Sequence, residues 1–188
     1  MIPLLTCSLI SLALTIERIM FWTKLKSQDV LRQILSLVEL GDFEQALKLG
    51  KASGQPIARV LAAGVAHRNP APAKAMEAAA QAEIPVLKRR LGVLDTIVTL
   101  APLLGLLGTV VGMIGSFDVM SEVGLGQPHA VTGGVAEALI ATATGLLIAI
   151  LTLVSYNYFM ARAEREIDQM EHFTSSLELL LHEHMGKH

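Results

Sequence analysis

Cysteine is nearly absent from the sequence. The one residue, Cys7, excludes an intramolecular disulfide and leaves the redox compartment unread. Aromatic residues make up only 4% of the 188 residues, while 52% are hydrophobic, and the apolar residues come in blocks. The formal net charge of -2 is too small to point to a nucleic-acid or strongly acidic partner. No GxSxG, HExxH, Walker loop or CxxC occurs, so neither a hydrolytic site nor a cofactor or metal site is written into the chain. Leu4-Leu5-Thr6-Cys7 has only a faint lipoprotein character, because no basic residue precedes it and the apolar stretch runs past it. His182, His184 and His188 form a solvated tail rather than a metal site, and His67 and His172 are expected at the surface.

Charge is missing over long stretches, and this sets the architecture. A helix needs roughly 20 apolar residues to cross a bilayer core. Residues 96–117 are uncharged for 22 positions and 138–161 for 24, and residues 1–16 form a shorter uncharged run that ends at Glu17-Arg18. The short first run is read as a span rather than an interfacial helix. All fifteen Lys and Arg lie within 18–90 or 162–187, so the loop between the second and third spans faces away from the cytoplasm. The expected order is a first span over 1–22 with the N-terminus outside and a cytoplasmic helical segment over 23–91. A second span over 92–117, a periplasmic loop over 118–130, a third span over 131–161 and a cytoplasmic tail over 162–188 follow.

In the cytoplasmic segment, Ser27 and Asp42 are candidate N-caps for helices ending near Gly41 and Gly54. Pro56, Pro70 and Pro72 mark breaks. The Ala-rich run from Pro72 favours a helix that continues through Lys88-Arg89-Arg90 into the second span, with Pro85 and Gly92 bending it.

The second span carries Gly105, Gly108, Gly112 and Gly115 on one helical face below Ala101. Small residues let helix backbones approach closely, and close packing drives association where lipid offers no hydrophobic gain. The spacing does not separate packing within a subunit from packing between subunits. Thr109 and Ser116, at the edge of the stripe, either bond back to their own helix or face a neighbour.

The third span begins beside Glu137, with Ala141, Thr144, Ile148 and Ser155 on its face. A carboxylate at membrane depth costs on the order of 3 kcal/mol, and such groups face bundle interiors or water-filled cavities. A functional acid competes with three plainer readings. Glu137 is hydrated near the outer interface, pairs structurally with a base (none lies at membrane depth in this chain), or caps a helix beginning near Thr132-Gly133-Gly134.

The blocks Ala101-Pro102-Leu103-Leu104-Gly105-Leu106-Leu107-Gly108-Thr109-Val110-Val111-Gly112-Met113 and Val135-Ala136-Glu137-Ala138-Leu139-Ile140-Ala141-Thr142-Ala143-Thr144-Gly145-Leu146 resemble the MotA/TolQ/ExbB proton-channel family, as do Tyr156-Asn157 and Ile16-Glu17-Arg18. Three spans with an outside N-terminus resemble its ExbB/TolQ branch rather than the four-span flagellar subunits. The resemblance implies an all-α membrane protein, with spans two and three extended into the cytoplasm. It also implies a pentameric ring around a dimer of a single-span ExbD/TolR-type partner, energising a TonB- or TolA-type protein. It assigns Glu137, Thr109 and Thr142 to the pore, although helix geometry puts Thr142 about 140° from Glu137 while Thr144 shares its face. The competing functions are a passive membrane scaffold and, less compatible with the residues, an intramembrane enzyme.

Overall fold

The computed structural model describes residues 1–25, 28–123 and 128–185. The described residues form seven helices: α1 (Ile2–Lys24), α2 (Gln28–Glu39), α3 (Phe43–Ala52), α4 (Pro56–Ala66), α5 (Pro72–Leu87), α6 (Leu91–Val123) and α7 (Pro128–Met185). Among the described residues there is no strand. Helices α1, α6 and α7 are long and apolar enough to cross a membrane, as the uncharged runs require. The chain divides into two units, Met1–Ile19 with Arg90–Phe159 and Met20–Arg89 with Met160–His188.

The first unit is built on one face of α6. Leu91, Leu94, Ile97, Ala101, Gly105 and Ser116 are buried at steps of three or four or their sums, with the half-buried Gly108 and Gly112 between. Leu4 and Cys7 of α1 cluster with Ile97, Ala101, Ile148 and Ala149. The opposite side of α6 exposes Leu103, Leu106, Leu107, Val110, Val111 and Ile114, as lipid or a neighbouring helix would favour. Glu17 of α1 forms an ion pair with Arg90 at the start of α6.

The second unit packs α2, α3, α4 and α5 with the end of α7. Ile34, Val38, Ala46, Val60 and Leu61 are fully buried, and α7 contributes Met170, Phe173, Leu177 and Leu181 at steps of three and four. Gly50 is required for closeness, since a Cβ there would lie 2.8 Å from that of Ala62. Arg59 on α4 grips Glu83 on α5 through two hydrogen bonds of 2.7 and 2.5 Å.

Asp42 caps α3 as expected, accepting from the Gln45 amide at 3.1 Å. Ser27 lies outside the described residues, as does His188. Gly41 and Gly54 follow α2 and α3 with φ of +79° and +68°, a conformation glycine adopts without a steric penalty. His67 and His172 are exposed, and the His184 ring packs edge-on against Phe43 at 5.8 Å.

The helix expected to run from Pro72 into the second span is divided instead. Lys88 caps α5, Arg90 takes φ +64°, and α6 starts afresh at Leu91. That left-handed residue breaks the run of helical hydrogen bonds that Pro85 alone, inside α5, merely interrupts. At its other end α6 continues as helix past Phe117 to Val123.

Candidate functional site

The site is built where α6 meets α7. On α6 the small residues recur as Ala101, Gly105, Gly108 and Gly112, and on α7 they are answered by Gly134, Ala138, Ala141 and Gly145. A Cβ at Gly105 would sit 3.0 Å from the Ala141 carbonyl oxygen, one at Gly108 2.7 Å from the Ala141 Cβ, and one at Gly112 2.8 Å from the Ala138 Cβ. From the other side, a Cβ on Gly145 would lie 2.5 Å from the Ala101 carbonyl oxygen. The two backbones are therefore in contact over about three turns. This is packing within a subunit for Gly105, Gly108 and Gly112.

Gly115 stands apart. A Cβ there would meet nothing within 4 Å, and Ser116 continues the buried stripe in its place. Its hydroxyl donates to the Gly112 carbonyl at 2.8 Å, and a Cβ on Gly134 would collide with its Oγ.

The threonines divide by what they bond. Thr142 Oγ1 crosses between helices and donates to the Gly105 carbonyl at 3.0 Å. Thr109 Oγ1 donates to Leu106 of its own helix at 2.7 Å, and Thr144 Oγ1 to Ile140 at 2.8 Å. A hydroxyl whose proton is spent on its own backbone keeps lone pairs and presents itself outward as an acceptor.

Glu137 lies off the seam. Ala138 and Ala141 beside it are buried against α6, while Glu137 itself is exposed and has no ion-pair partner among the described residues. Thr144, two turns further along α7, lies on the same side. The arrangement presents a carboxylate and the Thr144 hydroxyl on the open flank of a tightly closed helix pair. Such groups hold and pass protons or bind a cation when water reaches them.

A second polar contact joins α1 to α7. Ser11 Oγ and Thr152 Oγ1 lie 2.7 Å apart and buried, and Thr152 Oγ1 is also 2.7 Å from the Ile148 carbonyl. With Thr152 donating to that carbonyl, Ser11 is the donor between the two hydroxyls. Sequence reasoning missed Ser11; a serine at three- and four-residue steps from Leu4 and Cys7 was the available signal. Among the described residues, no three His, Cys, Asp or Glu side chains gather as a metal site would need.

Residues 52–172 match the model of the MotA/TolQ/ExbB proton channel family, a segment that contains all of α6, α7 as far as residue 172, and Thr109, Glu137, Thr142, Thr144 and Thr152. The chain belongs to the MotA/TolQ/ExbB proton channel family. It is 37% identical over 189 residues to biopolymer transport protein ExbB-like 3 of Synechocystis, covering 95% of this chain and 89% of that one. It is 39% identical over 110 residues to the Tol-Pal system protein TolQ of Pseudomonas aeruginosa, covering 58% of this chain and 48% of TolQ. It is 41% identical over 80 residues to biopolymer transport protein ExbB of Aquifex aeolicus, covering 43% of this chain and 53% of that one. Similarity to both ExbB and TolQ proteins makes this a membrane protein of the ExbB/TolQ type, related to biopolymer transport proteins.

Proposed function

We propose that the chain is the ring-forming channel subunit of a proton-driven motor in a bacterial inner membrane, with its N-terminus periplasmic and its C-terminus cytoplasmic. In this reading residues 1–22, 92–117 and 131–161 are the spans, and five copies surround a single-span ExbD/TolR-type partner. Protons pass between ring and partner, and the motion energises a TonB-type protein for outer-membrane transport, as in ExbB.

The observation that carries the reading is the exposed Glu137 beside a closed α6–α7 seam. Left facing hydrocarbon, such a carboxylate costs about 3 kcal/mol or more in every copy. Enclosure in a lumen or against a partner helix removes that cost and makes use of the group. Glu137, Thr109 and Thr144 then form the pathway wall, and Thr142 holds α7 against α6 at the same level. Gly115, with open space around it, is available to a neighbouring subunit. One elementary charge moving across 100 mV supplies about 2.3 kcal/mol for the work.

Glu137→Gln and Glu137→Ala test this, with proton-driven function and oligomer mass measured together. Loss of function in an intact oligomer supports the channel. Full activity in both variants returns Glu137 to a structural role in a passive scaffold. A TolQ-like role in envelope integrity is favoured by the similarity to Pseudomonas aeruginosa TolQ, and complementation of strains lacking either system separates the two.

A further inference from the structure

A cavity of about 270 Å³ lies in the second unit between α2, the start of α4 and α7. One wall is apolar, with Leu25 and Ile57. The rest is polar, with Arg162, Glu166 and Gln169 from α7, Gln28 from α2 and Gln55 before α4. Arg162, Glu166 and Gln169 stand at steps of four and three, so α7 presents all three on one side.

Opposite charges four residues apart on a helix ordinarily pair with each other. Here they do not. Among the described residues, neither Arg162 nor Glu166 has an ion-pair or hydrogen-bond partner, although both face the same cavity. Arg162 instead lies over the Trp22 ring, 5.4 Å from its centroid. Burial pushes the Glu166 carboxyl above its ordinary range, and Arg162 only partly offsets this. Helix α4 opens beside the cavity with no side-chain cap and no acidic residue in its first turn, which adds positive potential near Arg162.

The cavity thus offers a cation and an anion that are held apart, with carboxamides around them. Its level in the membrane, on the topology proposed above, is the cytoplasmic headgroup region. Arg162 directly follows the uncharged run 138–161, and Trp22 is the aromatic residue that favours this boundary.

We propose that this cavity binds a phosphoethanolamine group, with the phosphate on Arg162 and the ammonium on Glu166, supplied by phosphatidylethanolamine of the cytoplasmic leaflet. A phosphate oxygen accepts from the guanidinium, the ammonium donates to the carboxylate and a glutamine carbonyl, and the glycerol end lies along Leu25 and Ile57. A zwitterion satisfies both unpaired charges together, whereas an anionic phospholipid leaves Glu166 facing a second negative group.

Trp22 is the only tryptophan of the chain, so its fluorescence reports directly on Arg162. The full chain in a sugar-headgroup detergent is titrated with short-chain phosphatidylethanolamine, short-chain phosphatidylglycerol, glycerophosphoethanolamine and inorganic phosphate. The expected result is a saturable change, tightest for phosphatidylethanolamine. Arg162→Gln weakens it about tenfold or more for every phosphate-bearing probe. Glu166→Gln weakens it about tenfold for the ethanolamine probes while leaving phosphatidylglycerol unchanged or tighter. Unchanged far-UV circular dichroism verifies that the variants are folded, and Arg162→Lys retains part of the binding.

Glycerophosphoethanolamine binding as tightly as the lipid overturns the membrane as the source. No saturable change, equal binding by both variants, or preference for phosphatidylglycerol in the unmodified chain overturns the site. Glu137→Gln leaves this titration unaltered, so failure of the motor reading and failure of this one are told apart.

Discussion

The Thr142 hydroxyl donates across the α6–α7 seam to the Gly105 carbonyl at 3.0 Å. The regular helix pattern pairs that same carbonyl with the amide of Thr109. One backbone oxygen therefore joins the two threonines that the family resemblance assigns to the pore.

Replacing Thr142 with Val keeps its shape and removes that bond. Interhelical hydrogen bonds in membranes are worth about 0.6 kcal/mol on average and up to about 1.7. Thr142→Val is expected to lower stability within that range, read as a small fall in the unfolding midpoint in detergent. A loss of proton-driven function far beyond so small a fall places the hydroxyl in the pathway itself.

Gly108→Ala brings a methyl to 2.7 Å from the Ala141 Cβ and is expected to cost about 1–3 kcal/mol by overpacking. Gly115→Ala has open space and is expected to change subunit stability by less than about 0.5 kcal/mol. Thermal denaturation of the two variants side by side checks the contrast. If Gly115→Ala instead reduces oligomer mass, the neighbouring subunit packs there.

Ser11 and Thr152 offer a coupling measurement. Ser11→Ala, Thr152→Val and the double variant form a cycle whose interaction energy is expected near 0.6 kcal/mol. Strict additivity contradicts the 2.7 Å contact.

Glu166 sets a pH dependence. Its folded carboxyl titrates above the ordinary 4.5 because burial disfavours the charged form. The native state then holds the proton more tightly than the unfolded chain, so this group's contribution is favourable below about 4.5 and is lost as pH rises through the raised value. In lipid-free detergent, Glu166→Gln is expected to match the unmodified chain near pH 4 and to exceed it in unfolding midpoint at pH 7. A midpoint difference that does not grow over that window contradicts the burial.

The helical fold was legible because its signals are local. Uncharged runs gave the three apolar helices, Asp42 announced α3, and glycines ended α2 and α3. The seam was half legible. Periodicity places Gly105, Gly108 and Gly112 on one face of α6, but a helix apolar all round says little about how its neighbour is rotated. The answering row of Gly134, Ala138, Ala141 and Gly145, and the turn of Thr142 into the seam, depend on that rotation. The Ser11–Thr152 contact spans 141 positions, so the steps from Leu4 and Cys7 to Ser11 mark its face of α1 but not its partner. The break at Arg90 was hidden because an arginine with positive φ carries no glycine signal.

Two hydroxyl ties and a row of backbone contacts fasten α7, to α6 at Thr142 and to α1 at Thr152. Three helices so fastened act mechanically as a single stave with little internal play. In the ring proposed above, slip between such staves would be confined to their outer flanks. Glu137 lies on one of those flanks, where a bearing surface would meet its charge.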